Sequence, residues 1–413
     1  MRFRSDFLGA LSARGYLSNC TDPEALDNLM ASERVVAYIG FDCTAASLHI
    51  GSLVQIMVLR YLIKHGHKPI VLLGGATTKV GDPSGKEKTR AVISDADIDL
   101  NKKGILKVIS KFFSSDDKVH IVDNVEWLGE LKYLDFLREV GSKFAVGAML
   151  GLDSVKSRLS REQNLSFLEF NYVLLQSYDF VELYKRYGCV LQIGGSDQWG
   201  NIVNGIDLAR KMGCPQLYGL TTNLLLTSTG AKMGKTDKGA VWLDGELLSP
   251  EDYWQYFRNV PDEDVGRLLR LFTELSIDEI EKLEALKDED INEAKKILAT
   301  EAVRVCHGEE IAQEITQRMS NVFELGDDSL LKSIMCDKEL LQRGISISEL
   351  LHVMGLQESI GAGRRLIRGR GCKVNGAVVE DENMVISHKD FNESGFMTIF
   401  CGKKRRAKIV LRS

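Results

Sequence analysis

Residues 35–73 have the sequence VVAYIGFDCTAASLHIGSLVQIMVLRYLIKHGHKPIVLL. The apolar run at 35–41 predicts a buried strand, and a second apolar run at 69–73 predicts another. Between them, residues 48–65 have helical spacing, and Ser47 is the predicted N-cap of that helix. Because a strand–helix–strand connection of this length joins parallel strands, the stretch predicts an α/β fold with a parallel sheet.

The same pattern continues along the chain. Residues 119–122 and 190–193 are predicted strands, and 165–187 and 197–212 are predicted helices, the latter with Ser196 as its cap. We therefore predict a doubly wound parallel-sheet domain, Rossmann-like and catalytic. The predicted domain limits are 1–227 for the catalytic domain with an insertion within 84–160, 228–247 for a lysine-loop linker, 248–330 for an α-helical domain, and 345–413 for a small α+β domain.

The composition is typical of a globular protein. The chain has 413 residues, of which 44% are hydrophobic and 27% are charged, and its net charge of −5 argues against nucleic-acid binding by the whole surface. Residues 361–413 nevertheless contain 12 Lys or Arg against 5 Asp or Glu, which predicts an anionic partner at that end.

Cysteine spacing predicts a cytoplasmic protein, and hydropathy predicts that it has no membrane span. Eight cysteines occur with no C-x-x-C pair, as expected for reduced thiols in a cytoplasmic protein. No apolar run approaches about 18 residues, so no membrane partner or membrane span is expected.

Two short motifs predict a site for the phosphates of ATP. His49 and Gly51 lie at the start of the first predicted helix, where backbone N–H groups and the helix dipole favour anions. Lys232 and Lys235 lie on a glycine-containing loop and could stabilise charge that develops during phosphate displacement. Taken singly, each motif is more often an ordinary helix start or a solvated turn.

Two further groups of polar residues accompany them. The segment 192–200 is a strand that ends in two glycines, after which Asp197 could accept hydrogen bonds from ribose hydroxyls. Tyr172, Gln176 and Asp179 have spacings that place them on one face of a helix, where they could bind a polar small molecule. A P-loop is excluded, because Val80 and Glu87 occupy positions that the pattern reserves for Gly and Ser or Thr.

Together these motifs resemble one family, the bacterial-type tyrosyl-tRNA synthetases, which are class I aminoacyl-tRNA synthetases. The resemblance rests on 38–44 with 47–51, on 81–85, on 192–200 and on 232–236, in the family's order and spacing. It covers most of the chain, since 345–413 resembles the family's S4-type RNA-binding domain and 248–330 its helical tRNA-binding domain.

The resemblance implies a tyrosine–tRNA ligase. Such an enzyme forms tyrosyl-adenylate and pyrophosphate from L-tyrosine and ATP with Mg²⁺, then transfers tyrosine to the 3′ end of tRNA(Tyr), without a dedicated protein metal site. It also implies a cytoplasmic homodimer, with the inserted segment as the interface. The implied catalytic residues are His49, Lys232, Lys235 and Thr236. The implied tyrosine-binding residues are Tyr38, Asp82, Tyr172, Gln176, Asp179 and Gln198. The implied ATP-binding residues are Gly40, Asp42, Thr44, His49, Gly51, Ser52, Gly195, Asp197 and Lys235. The implied tRNA-binding residues are Arg364, Arg365, Arg368, Arg370 and Lys373.

Two positions depart from the family's pattern. Ser52 stands where the family usually has a second histidine, and a serine is shorter although it still donates a hydrogen bond. Cys43 stands where a proline is common. Since His49 and Lys235 are kept, we expect an active enzyme with an altered affinity for ATP.

Two alternatives compete with this interpretation. An RNA-binding protein that kept the scaffold without the reaction is favoured by Ser52 and opposed by His49, Lys232 and Lys235. A tryptophanyl enzyme is opposed by Tyr38 and Asp179, which suit a phenol.

Overall fold

A computed structural model describes residues 3–84, 93–114, 117–228, 230, 233–236, 239–288, 290–324, 333–392, 395–402 and 405–411. The chain forms two compact units, Met1–Ala312 and Gln313–Ser413. Within the described residues of both units, no helix is long and apolar enough to cross a membrane.

The first unit is built on a six-stranded sheet. Its strands are β1 (Leu17–Cys20), β2 (Val36–Asp42), β3 (Lys68–Gly74), β4 (His120–Asp123), β5 (Leu191–Gly195) and β6 (Tyr218–Thr222). Their order is β1-β6-β5-β2-β3-β4; β1 is antiparallel to β6 and the other neighbours are parallel. The chain thus winds outward in both directions from β2, which confirms the predicted doubly wound fold.

This topology creates a crevice at one place. The strand order reverses between β2 and β5, and ligands of open α/β sheets bind beyond the carboxyl ends of strands at such a point. Pro69–Gly74 of β3 are all buried, as expected for a central strand covered by helices on both faces.

Helices cover the sheet and extend beyond it. They are α1 (Asp6–Ala13), α2 (Pro23–Ser32), α3 (Ile50–Lys64), α4 (Asp95–Ser110), α5 (Val125–Leu128), α6 (Tyr133–Glu139), α7 (Val146–Leu150), α8 (Asp153–Ser160), α9 (Phe167–Phe170), α10 (Tyr172–Tyr187), α11 (Trp199–Lys211), α12 (Pro250–Arg258), α13 (Asp262–Phe272), α14 (Ile277–Glu284), α15 (Ile291–His307) and α16 (Glu309–Glu324), the last of which crosses the division between the units. Before α12, two strands of two residues each, β7 (Lys235–Thr236) and β8 (Gly239–Ala240), pair in antiparallel orientation.

Two predicted helix starts and one predicted continuous helix are wrong. His49, not Ser47, caps α3, because its imidazole reaches the N–H of Gly51. The helix predicted over 165–187 is two helices. The first is α9, which begins with a capping box, and the second is α10; Asn171 separates them. Ser196 opens a single 3₁₀ turn, and α11 begins only at Trp199.

The second unit has its own sheet and core. Its strands β9 (Ser333–Cys336), β10 (Cys372–Val374), β11 (Ala377–Val378), β12 (Phe396–Cys401) and β13 (Arg405–Leu411) have the order β11-β10-β12-β13-β9. Its further helices are α17 (Lys338–Gln342), α18 (Ile347–Val353) and α19 (Ile360–Arg368). Asn375 and Gly376 both have positive φ, so they form the tight turn that an Asn-Gly pair favours between β10 and β11.

Candidate active site

A cavity of about 250 Å³ opens at the carboxyl ends of β2 and β5. All six predicted tyrosine-binding residues line it: Tyr38, Asp82, Tyr172, Gln176, Asp179 and Gln198. Four of the predicted ATP-binding residues also line it: Gly40, Asp42, Gly195 and Asp197. The structure therefore brings together side chains from β2, β5, α10 and the loop after β3, which the sequence separates by up to about 160 positions.

One end of the cavity holds the buried carboxyl group of Asp179. Trp127 Nε1 donates to Asp179 Oδ1 at 2.7 Å, and Asn124 Nδ2 donates to Asp179 Oδ2 at 3.0 Å. Burial raises the pKa of Asp179 to about 8, although these two hydrogen bonds lower it. The hydroxyl of Tyr38 is buried beside this group and has no hydrogen-bond partner among the described residues. A phenol donating to Asp179 and accepting from Tyr38 would satisfy both groups.

Amides surround a second carboxylate. Gln198 Nε2 donates to Asp82 Oδ2 at 2.7 Å, and Gln176 Nε2 donates to Gln198 Oε1 at 3.2 Å. Asn201 Nδ2 donates to Gln176 Oε1 at 2.9 Å. Since carboxylate and amide oxygens converge here, this wall suits an ammonium group.

Asp42 lies between these two regions. Tyr172 donates its hydroxyl to Asp42 Oδ2 at 3.0 Å, and burial, followed by the charge of Asp42, raises the pKa of Tyr172 well above its usual value. Tyr172 therefore remains a neutral donor near neutral pH.

The start of α3 has a specific local geometry. His49 Nδ1 accepts the N–H of Gly51 at 2.9 Å, so the proton of a neutral imidazole is on Nε2. A Cβ on residue 51 would lie 2.7 Å from His49 Cε1, so only glycine leaves room for this cap. His49, Gly51, Ser52 and the exposed Thr44 do not line the cavity itself.

The lysine loop contacts this same helix start. The N–H of Ile50 donates to the carbonyl of Val241, and the N–H of Val241 donates to the carbonyl of Gly234, both at 2.9 Å. Gly234 has a φ of +106°, and a Cβ there would lie 2.7 Å from Ile50 Cγ2. The two motifs that the sequence separates by about 180 residues are thus joined through backbone hydrogen bonds. Lys232 lies outside the described residues, and Lys235 and Thr236 are described only as the backbone of β7.

The predicted tRNA-binding residues lie in the second unit and are exposed. Arg368 donates to both carboxylate oxygens of Glu382, at 2.7 and 2.9 Å, and Arg370 forms an ion pair with Glu380. Two of the five predicted cations are therefore already paired with carboxylates.

Sequence reasoning missed Asn124, Trp127 and Asn201. Asn124 and Trp127 lie within the predicted insertion, where no motif marks them, and only the packing of α5 against α10 brings them to Asp179. Asn201 comes directly after the 192–200 motif. This proximity is the signal from which its place in the site could have been predicted. In the part of the chain that the structure describes, no group of three or more His, Cys, Asp or Glu could hold a metal ion.

Comparison with known proteins identifies the family. The model of the tRNA synthetases class I (W and Y) matches residues 30–324. Two curated relatives, each called tyrosine–tRNA ligase, are 68% identical in Anaplasma phagocytophilum and 65% identical in Anaplasma marginale, over the whole of both chains. The solved structure of a C-terminally truncated mitochondrial tyrosyl-tRNA synthetase from Aspergillus nidulans is 31% identical. It matches with a TM-score of 0.70 over 77% of this chain and 94% of that one.

The chain belongs to the class I tRNA synthetases of the W and Y type. The match to a solved tyrosyl-tRNA synthetase agrees with the Rossmann-like α/β domain described above. The activity of this chain is that of a tyrosine–tRNA ligase, with ATP as a substrate. This result excludes the tryptophanyl enzyme and the non-enzymatic RNA-binding protein as alternatives.

Proposed function

We propose that tyrosyl-adenylate forms in the cavity at β2 and β5, with the phenol of L-tyrosine between Tyr38 and Asp179. The observation that carries this proposal is the buried, unpartnered hydroxyl of Tyr38 beside the buried carboxyl group of Asp179 in a cavity. Phenylalanine would leave the Tyr38 hydroxyl without a partner and would make no hydrogen bond to Asp179. Tyrosyl-tRNA synthetases are the established example of discrimination by this physical effect. The amino group of the substrate faces Tyr172, Gln176 and Asp82.

The nucleotide occupies the opposite end of the crevice. In this proposal Gly40, Asp42, Gly195, Asp197 and Gln198 serve the ribose and the α-phosphate. A Cβ on Gly195 would lie 2.6 Å from Asp197 Oδ1, so glycine keeps backbone open at this point. Mg²⁺ enters with the phosphates of ATP as part of the substrate.

Formation of the adenylate depends more on the orientation of the two substrates than on a general base. The tyrosine carboxylate attacks the α-phosphorus, a new P–O bond forms, and the bond to the bridging oxygen breaks to release pyrophosphate. His49, Gly51 and Ser52 at the start of α3, with Thr44, Lys232, Lys235 and Thr236, stabilise the charge that develops on the phosphates. Support comes from the backbone bonds between the lysine loop and α3.

Tyrosine-dependent exchange of pyrophosphate into ATP tests this proposal. We expect exchange with tyrosine and strong discrimination against phenylalanine and tryptophan. Lys235→Ala should slow exchange by about 10²-fold, in the range found for a lost transition-state donor, while tyrosine binding is nearly unchanged. Lys64→Ala, on the exposed far end of α3, is the matched control and should behave as wild type. Equal losses of binding and exchange in Lys235→Ala would contradict the assignment.

The second step transfers tyrosine from the adenylate to a hydroxyl at the 3′ end of tRNA(Tyr), with release of AMP. We propose that 248–330 and the S4-like 345–413 bind this RNA and that 228–247 is the lysine-loop linker of the catalytic domain. Support comes from the excess of basic residues in 361–413 and from the exposure of Arg364, Arg365 and Lys373.

The proposed assembly is a cytoplasmic homodimer. Large apolar side chains between α6 and α9 are exposed, among them Leu134 at 72% and Phe167 at 69%. Large apolar side chains that are exposed in one chain are often covered in a protein interface. All eight cysteines are free thiols, as is usual in a reducing compartment. Sedimentation of wild type and Leu134→Lys tests the dimer; a monomeric wild type would overturn it.

A further inference from the structure

Four polar side chains of the cavity wall form one continuous chain of hydrogen bonds. Asn124 Nδ2 donates both to Asp179 Oδ2 and to Thr77 Oγ1, each at 3.0 Å. Thr77 Oγ1 in turn donates to Asp42 Oδ1 at 2.8 Å. Asn124, Thr77 and Asp179 are all at least 98% buried, so water does not compete for these hydrogen bonds.

The direction of every bond in this chain is fixed. The backbone N–H of Ala76 donates to Asn124 Oδ1 at 2.8 Å, and an N–H can only donate. The amide nitrogen of Asn124 must therefore face Thr77 and Asp179. Because Thr77 Oγ1 accepts from Asn124, its own proton is directed to Asp42.

The surrounding backbone leaves room for this bond. A Cβ on Gly74 would lie 2.2 Å from Asp42 Oδ1 and 2.5 Å from Thr77 Oγ1, so only glycine permits it. The neighbouring Thr78 has a different role, because it accepts from the N–H of Cys43 at 2.7 Å and donates to the carbonyl of Gly74 at 2.5 Å. The hydroxyl of Thr77 thus bonds to side chains of the cavity, whereas the hydroxyl of Thr78 bonds only to backbone groups.

We propose that Thr77 is a positioning residue, whose hydroxyl holds Asp42 and, through Asn124, Asp179 in one fixed arrangement, and so contributes to discrimination of tyrosine from phenylalanine. This inference rests on the proposed assignment of Asp179 to the phenol. Without the hydroxyl, one N–H of the fully buried Asn124 loses its acceptor, and the Asn124 amide, still oriented by Ala76, is held at Asp179 by one hydrogen bond fewer. Phenylalanine makes no bond to Asp179, so its activation is affected less than that of tyrosine.

The test compares Thr77→Val, Thr77→Ser and Thr78→Val in pyrophosphate exchange with tyrosine and with phenylalanine. Loss of a hydrogen bond within a charged network predicts that Thr77→Val lowers kcat/KM for tyrosine by about tenfold or more. The ratio of tyrosine to phenylalanine should fall by a similar factor. Thr77→Ser keeps the hydroxyl and should restore both values. Thr78→Val should lower the unfolding midpoint with the ratio unchanged.

Three results would overturn the proposal: an unchanged ratio in Thr77→Val, an equal fall in Thr78→Val, or a folded Thr77→Ser that does not restore the ratio. If Thr77→Val does not fold, Thr77→Cys gives the same comparison, since its thiol is only a weak donor. Wild type is measured in the same assay. Absence of discrimination in wild type would instead contradict the assignment of Asp179 to the phenol.

Discussion

Gly51→Ala should separate the stability of α3 from the chemistry at its N-terminus. The new Cβ would lie 2.7 Å from His49 Cε1 and 3.0 Å from Nδ1, so the imidazole must leave its capping position. Losing an N-cap costs about 1 kcal/mol, whereas replacing glycine by alanine in a helix gains up to about 1 kcal/mol. The two effects nearly cancel, and the free energy of unfolding should change by less than about 1 kcal/mol.

The reaction should respond very differently. If His49 Nε2 stabilises charge on the phosphates, moving the ring removes one donor from the transition state, which typically costs about 10²–10³-fold in rate. We expect kcat for pyrophosphate exchange to fall by about 10²-fold while the dissociation constant for tyrosine stays the same, because His49 is outside the cavity. Exchange kinetics, tyrosine titration and urea unfolding measure the three quantities.

Gly9→Ala provides the matched control. Gly9 lies in α1, and nothing is within 4 Å of a Cβ placed there. This variant should gain up to about 1 kcal/mol in stability and keep wild-type exchange. Unchanged exchange in Gly51→Ala, or a loss of tyrosine binding as large as the loss of rate, would refute the reasoning about His49.

Three further predictions concern charged groups. The pKa of Asp179 is raised by burial from 3.8 to about 8, so the folded protein holds a proton that the unfolded chain releases, and stability should fall as pH rises from about 4 to about 8. Urea unfolding at several pH values should show this slope in wild type and a smaller one in Asp179→Asn; equal slopes would contradict it. Arg158→Met leaves the buried carboxylate of Glu169 without its ion-pair partner and should cost about 3–5 kcal/mol in urea unfolding, whereas a loss below about 1 kcal/mol would show that the pair is unimportant. Arg364→Gln should reduce the salt dependence of tRNA binding by about one phosphate contact, while Arg368→Gln, whose cation is already paired with Glu382, should change it little; the reverse order would refute the distinction.

The class of fold and the type of reaction follow from local patterns in the sequence. Periodicity predicted four of the five parallel strands, because buried strands of such a sheet are continuous apolar runs. Among the strands it missed, β1 and β9 are short strands at a sheet edge, and β1 has no fully buried residue. The spacing of Tyr172, Gln176 and Asp179 placed three cavity residues correctly, because a helix fixes which residues share a face.

Tertiary structure alone decided how those residues are held. Asn124 and Trp127 reach Asp179 across more than 50 residues, and no local pattern encodes a hydrogen bond between elements that far apart. Local sequence predicts Ser47 as the cap of α3, since serine is the commoner cap. In the structure the first turn instead begins at His49, where the N–H of Ile50 donates to the carbonyl of Val241. Local sequence sets which segments are helices and strands, whereas the directions of buried hydrogen bonds depend on partners that only packing brings within reach.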